Sequence, residues 1–176
     1  IVTGEVYSSD TRFGPLIHAE LGIGEEASGK LVSKVKEWAK NKAKEKDSDL
    51  ILVDGSPGIG CPVIASISGS DLVLIVTEPT LAGIHDLERV YQMTQHFDVQ
   101  SCVCINKYDL NESKSEEIER FCKENEIPIV AKLPYDDMVS ESIISEETII
   151  EYDEESEISK TIIGMWDKIM NRLNEI

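Results

Sequence analysis

Four short apolar runs stand out along the chain, at residues 50–54, 72–77, 102–106 and 129–133. Each is continuous rather than alternating, which predicts strands buried on both faces of a parallel sheet. Between them, apolar positions recur at helical spacing. Leu31, Val35, Trp38, Ala39 and Lys42 form one stripe of a helix over residues 30–46, with lysines elsewhere on its surface. Ile84, Leu87, Val90, Tyr91 and Phe97 form a second stripe. Ser113 and Glu116 predict a capping box ahead of Ile118, Phe121 and Cys122. Ile158, Ile162, Met165, Trp166, Ile169 and Leu173 predict a last amphipathic helix. Strands and helices in this order predict an α/β, doubly wound domain with a mostly parallel sheet.

The flanks read differently. Residues 1–7 and 14–21 are two extended segments separated by polar residues, which fits a hairpin or a sheet edge. Residues 146–157 are acidic and predict a solvated loop leading to the last helix. No internal repeat and no linker rich in Gly or Pro divides the chain. The expectation is one domain over 1–176: an extended segment at 1–22, core strands and helices at 23–140, and an acidic loop with the C-terminal helix at 141–176.

Composition agrees with a packed core. The 176 residues are 41% hydrophobic and 29% charged, a globular balance. Charge narrows the partners. With 34 acidic against 17 basic residues the net charge is −17. That opposes binding to nucleic acid, where cationic side chains must displace phosphate counterions, and to anionic membrane surfaces. No apolar run approaches the ~20 residues of a spanning helix, and no signal-peptide pattern is present. A cytoplasmic location is expected. The chain opens on Ile1 rather than Met, so a trimmed N-terminus is expected as well.

Cysteine spacing adds little chemistry. Cys61, Cys102, Cys104 and Cys122 form no Cys-x-x-Cys pair, zinc ribbon or ferredoxin run. Cys102 and Cys104 fall on the same side of an apolar strand and read as buried structural thiols. His18 and His96 have no metal-like partners in sequence.

Three segments carry candidate chemistry. In LILVDGSPGIGCP an apolar run ends in Asp54, and Gly55, Ser56, Pro57 and Gly58 follow at once. Ligands of parallel sheets gather at the carboxyl ends of strands. A carboxylate there can hold Mg²⁺ directly or through water, and a glycine lets a backbone N–H approach a terminal phosphate. The plain alternative is an acidic strand end followed by a turn. In CINKYDLN another apolar run leads into Asn106, Lys107, Tyr108 and Asp109. An amide at a strand end can both donate to and accept from a purine edge, while the lysine stem can cover the base. In LPYDDMV, Pro134 can aim backbone groups into the same crevice, though a turn proline needs no such role.

Two further segments weigh towards the plain reading. GEEASGKL, from Gly24 to Leu31, places Leu31 where a P-loop needs a hydroxyl for Mg²⁺. Ser28 reads better as the N-cap of the helix beginning near Lys30, with a supporting site role for Lys30 as the alternative. His85 and Asp86 follow TEPT (residues 77–80) and suit helix capping, or else a dimer-facing or nucleotide-sensing segment.

With these residues in view, the chain resembles the MinD/ParA/Mrp group of P-loop ATPases, and within it the MinD-like proteins that carry an inserted ferredoxin domain. The stretches carrying the resemblance are GPLIHAELGIGEEASGKLV, DGSPGIGCPVIASISGSDLVLIVTEPTLAGIHDLERV, INKYDLN and LPYDD, across about residues 14–140. The resemblance implies that Asp54 is the Walker B carboxylate acting on Mg²⁺ and its water, and that Gly58 is the switch glycine facing the γ-phosphate. It implies that Asn106 binds the base, with Pro134 and Asp136 near it. It implies a homodimer sandwiching ATP, whose hydrolysis is coupled to a redox or iron–sulfur partner. The family's glycine-rich loop with its signature lysine has no match in this sequence. Nor do the ferredoxin cysteines or the cluster-bridging cysteine pair of the Mrp-type carriers. Iron–sulfur clusters are therefore expected only in an upstream ferredoxin insert, and this polypeptide alone is expected to hydrolyse little nucleotide.

Two other readings compete. Asn106-Lys107-x-Asp109 is the spacing of a GTPase base-reading loop, and the acidic surface also suits a non-hydrolysing interaction module. Asp109 runs straight into Leu110 and Asn111, which would turn its carboxylate to solvent or use it as a turn cap. ATP is expected over GTP on that ground and on the length of the resemblance.

Overall fold

The computed structural model describes residues 4–21 and 28–176, which fall into two units, Ile1–Ser70 and Asp71–Ile176. In the first unit, β1 (Gly4–Thr11) and β2 (Gly14–Leu21) form an antiparallel hairpin, with Gly4 opposite Leu21 and Thr11 opposite Gly14. The Thr11 hydroxyl donates to the Gly14 carbonyl (2.8 Å) and accepts from the Phe13 N–H (3.2 Å), closing the turn. The first strand runs further than its apolar residues suggest, because Ser8, Ser9, Asp10 and Thr11 all find ladder partners in β2. Residues 1–3 lie outside the described residues.

Helix α1 (Gly29–Lys46) starts where Ser28, in extended backbone, accepts the Leu31 N–H at 3.3 Å. Asp47 ends it in the left-handed region, and Lys44 and Lys46 sit in the last turn, where cations favour the helix dipole. The expected apolar stripe holds only in part: Trp38 is 40% exposed, and the buried residue of α1 is Lys36. The reason is the open carboxyl end of α2 (Cys61–Ile67). The Lys36 ammonium donates to the carbonyls of Ala65 (3.3 Å), Ser66 (2.5 Å) and Ser68 (2.9 Å) and to Ser70 Oγ (3.2 Å). Burial lowers its pKa, with neighbouring Lys40 as the second cause.

Residues 50–54, expected as a buried strand, form none. Leu50, Ile51, Leu52 and Val53 are exposed, Leu52 by 81%. A strand needs a neighbour for its N–H and C=O groups, and among the described residues nothing pairs with this run.

In the second unit, β3 (Leu72–Thr77), β4 (Gln100–Asn106) and β5 (Ile129–Leu133) form a parallel sheet in the order β3-β4-β5. Helices α3 (Leu81–His96) and α4 (Glu112–Glu124) make the crossovers, and α7 (Glu157–Leu173) closes the unit. Ile75, Val103 and Ile105 pack with Ile84 and Leu87 of α3 and Ile118 and Cys122 of α4. Cys102 and Val130 pack with Ile169 of α7 in a separate cluster. Helices on both faces explain why the strand sequences are continuously apolar rather than alternating. The α/β fold with a parallel sheet is as expected. Among the described residues no helix is long and apolar enough to cross a membrane.

Two local expectations are corrected. Helix α4 is capped by Asn111, whose side chain accepts the Lys114 N–H at 3.1 Å, and not by Ser113. Asn111 holds the extended backbone that a cap requires, and Ser113 lies one residue inside the helix. The acidic stretch 146–157 is not all loop. It contains α6 (Ile149–Tyr152), started by a capping box in which Thr148 Oγ1 accepts the Glu151 N–H (3.2 Å) and Glu151 Oε2 accepts the Thr148 N–H (2.9 Å). Helix α5 (Asp137–Ile144) precedes it.

Cys102, Cys104 and Cys122 are buried, and burial pushes each thiol up to about 11, whereas Cys61 is exposed. A thiol reagent at pH 8 should therefore label Cys61 alone in the native protein and all four after unfolding. Between the unfolded value of 9.0 and about 11, the unfolded chain loses protons that the folded one keeps. This contribution to stability is complete below pH 9 and is lost as pH rises through 11. Rapid native labelling of a second thiol would contradict the buried assignment.

Candidate functional site

Parallel strands bring their carboxyl ends to one edge, so β3, β4 and β5 deliver Thr77, Asn106 and Leu133 side by side. The loops that follow are laced together. After β3, the buried Thr77 hydroxyl donates to the Gly83 carbonyl (2.9 Å), and Thr80 Oγ1 accepts the Gly83 N–H (2.9 Å) to cap α3. A Cβ at Gly83 would fall on the Glu78 carbonyl oxygen, so this close turn requires glycine. His85 and Asp86 are exposed on α3, and neither is its cap.

After β4, Lys107 adopts a left-handed conformation (φ 52°) and turns the chain into a 3₁₀ turn at Tyr108–Leu110. Its ammonium pairs with Glu78 Oε1 at 2.8 Å. The Asn106 Nδ2–H group donates to the same oxygen at 3.4 Å. The hydrogen bond from Lys107 to Glu78, and then the Glu78 charge, raise the lysine pKa. After β5, the Tyr135 N–H donates to Asp109 Oδ1 at 2.7 Å. The carboxylate expected at solvent or in its own turn is thus used 26 residues away. The Tyr135 hydroxyl donates to Asp137 Oδ1 (2.9 Å), and Asp136 caps α5 by accepting the Met138 N–H (2.9 Å).

One edge therefore gathers Asn106, Lys107, Asp109, Pro134 and Asp136. It also gathers Glu78 and Tyr135, which sequence reasoning missed. Nothing in TEPT marks Glu78; its contacts lie across the sheet.

Asp54 and Gly58 belong to the first unit. Asp54 is exposed, and among the described residues no ion pair holds it. Gly58 has φ +85°, which favours glycine, and open space where a Cβ would stand. Between α1 and α2 of the same unit lies an open cavity of about 470 Å³ whose lining includes Lys30, Lys34, Glu37 and Cys61. Lys34 pairs with Glu37 there at 2.9 Å. Of the segment from Gly24 to Leu31, residues 24–27 lie outside the described residues; Ser28 is the helix cap.

A parallel sheet covered by helices, with its polar loops gathered at the carboxyl edge, is the architecture of the doubly wound α/β domains, which bind their ligands at that edge. Residues 19–176 match the family described as 4Fe-4S iron sulfur cluster binding proteins, NifH/frxC family, and the chain belongs to that family. It is 30% identical over 167 residues to the uncharacterised protein MJ0578 of Methanocaldococcus jannaschii, covering 95% of this chain and 54% of that protein. The chain spans about half the length of the curated relatives it matches. Among solved structures it is similar to the MinD cell division protein of Aquifex aeolicus, with a TM-score of 0.69, 24% identity, and 93% of this chain and 68% of that one covered. It is also similar to the septum site-determining protein MinD of Pyrococcus horikoshii, complexed with Mg-ADP. That match has a TM-score of 0.64 and 17% identity, covering 81% and 57% of the two chains. At these identities the structural likeness is one of fold.

Proposed function

We propose that this chain supplies the base-reading edge and the metal carboxylate of an ATPase that couples Mg-ATP hydrolysis to a redox or iron–sulfur partner. The observation that carries the reading is the lacing of three strand-end loops around Asn106, with Asp109 occupied by the Tyr135 N–H. In a GTPase loop that carboxylate would have to accept from guanine; here an amide already claims one of its oxygens. Asn106 reads the base edge, the Lys107 stem covers the base, and Pro134 and Asp136 border it. ATP is favoured over GTP.

Asp54 is the group that would hold Mg²⁺, which when bound neutralises phosphate charge and orients the attacking water. An exposed carboxylate without a cationic partner fits that role, and the open left-handed turn at Gly58 leaves its backbone accessible to a terminal phosphate. An iron–sulfur cluster does not fit the cysteines of this chain. Cys102, Cys104 and Cys122 are buried in the second unit and Cys61 lies alone in the first. In this reading any cluster belongs to the redox or iron–sulfur partner. A homodimer is the working assembly, and phosphoryl transfer in it would call on a lysine and a backbone cradle around the phosphates.

Calorimetric titration of the full-length protein with Mg-ATP tests this reading. Asn106→Ala should weaken ATP about tenfold or more, the worth of a hydrogen bond left unmade in a partly desolvated site. Equal affinity in the variant and the unsubstituted protein would contradict the assignment.

A further inference from the structure

Resting on the nucleotide reading above, we infer that Glu78 is the positioning residue that makes the site specific for 6-amino purines, by fixing which end of the Asn106 amide meets the base. A primary amide offers donors at Nδ2 and an acceptor at Oδ1, and a free asparagine presents either. An ionised carboxylate only accepts. With Glu78 Oε1 3.4 Å from Nδ2, the amide turns its NH₂ group to Glu78; the opposite orientation would set two acceptor oxygens against each other. Glu78 is itself held, since Lys107 Nζ pairs with the same oxygen at 2.8 Å. The left-handed backbone of Lys107 directs that ammonium back across the sheet edge.

Asn106 Oδ1 is left without a partner among the described residues. It can accept the exocyclic N6–H of adenine. A 6-oxo purine presents an oxygen at the same place, lone pair against lone pair. The group that could reverse this preference is Asp109, which would accept the N1–H of a 6-oxo purine. Tyr135 N–H holds it at 2.7 Å. Glu78 therefore acts through Asn106 and touches no substrate, and its effect falls on the choice between bases.

The test compares ATP with inosine triphosphate, a 6-oxo purine nucleotide that lacks the 2-amino group of guanine, on the full-length protein. The unsubstituted protein should prefer ATP by about 10- to 100-fold, the range for a polar group left unpaired in a partly exposed site. Glu78→Ala removes the acceptor that faces Nδ2, so the amide can present either end to the base; glutamine would not serve, because Lys107 would hold its oxygen where the carboxylate oxygen stands. The ratio should fall to within about threefold, chiefly through tighter binding of the inosine nucleotide, with an unchanged circular dichroism spectrum. An unchanged ratio in Glu78→Ala, or no ATP preference in the unsubstituted protein, overturns the inference while the nucleotide site stands. Binding of neither nucleotide by the unsubstituted protein overturns the proposed function, and the inference with it.

Discussion

Replacing Asp54 by Asn should lower ATP turnover of the full-length protein about 100- to 1,000-fold while leaving its melting temperature within a degree or two. The substitution preserves shape, and Asp54 is exposed, so the fold loses little. What disappears is the negative charge that would hold the metal. Metal ions contribute several kcal/mol of transition-state stabilisation in phosphoryl transfer, and a carboxamide is a poor ligand for a hard divalent cation. Steady-state hydrolysis at saturating Mg-ATP is the measurement. Unchanged turnover would remove the metal role from Asp54, and lost turnover with a collapsed melting curve would assign it a structural one.

The second large effect concerns stability. Lys36→Met should cost about 2–4 kcal/mol, read as a lower urea midpoint at constant slope. Methionine replaces the buried stem but provides no donor. The carbonyls of Ala65, Ser66 and Ser68 then lose the ammonium that they share at the end of α2. Ala65 and Ser66 are half-buried and Ser68 is exposed, so water replaces part of what is lost; a buried acceptor left unmade costs about 1–3 kcal/mol, and the substitution also removes a buried charge. A change below about 0.5 kcal/mol would show that water takes over those carbonyls without loss.

The sheet was legible because its strands pack against helices, most completely at β4, where Cys102 to Ile105 are all buried; β3 carries a similar apolar run although Val76 is 59% exposed. Residues 50–54 have the same character and form no strand. Apolar composition belongs to the segment, whereas a ladder belongs to the segment and its neighbour. Lys36 was unreadable for a related reason: its burial depends on the end of another helix, about thirty residues away in sequence. The helix at Ile149–Tyr152 was legible in principle, since Thr148 and Glu151 stand at capping-box spacing. The acidic residues around them drew the reading towards loop.

The site divides in the same way. Asn106, Lys107 and Asp109 form a local string at the end of an apolar run, so their place at the sheet edge followed once the run was read as a strand. Pro134 and Asp136 followed from β5. Glu78 and Tyr135 did not, because their significance lies in bonds spanning 28 and 26 residues. Local order said that Asp109 ends a short turn; the fold decides that its carboxylate joins two loops.

The central claim is that a nucleotide base sits at the carboxyl edge of β3, β4 and β5. A crystal structure of the full-length protein with Mg²⁺ and a non-hydrolysable ATP analogue tests it most directly. The adenine should lie beside Asn106, its 6-amino nitrogen about 3 Å from Oδ1. Adenine bound away from Asn106, with the β3–β5 edge left to solvent, would contradict the account.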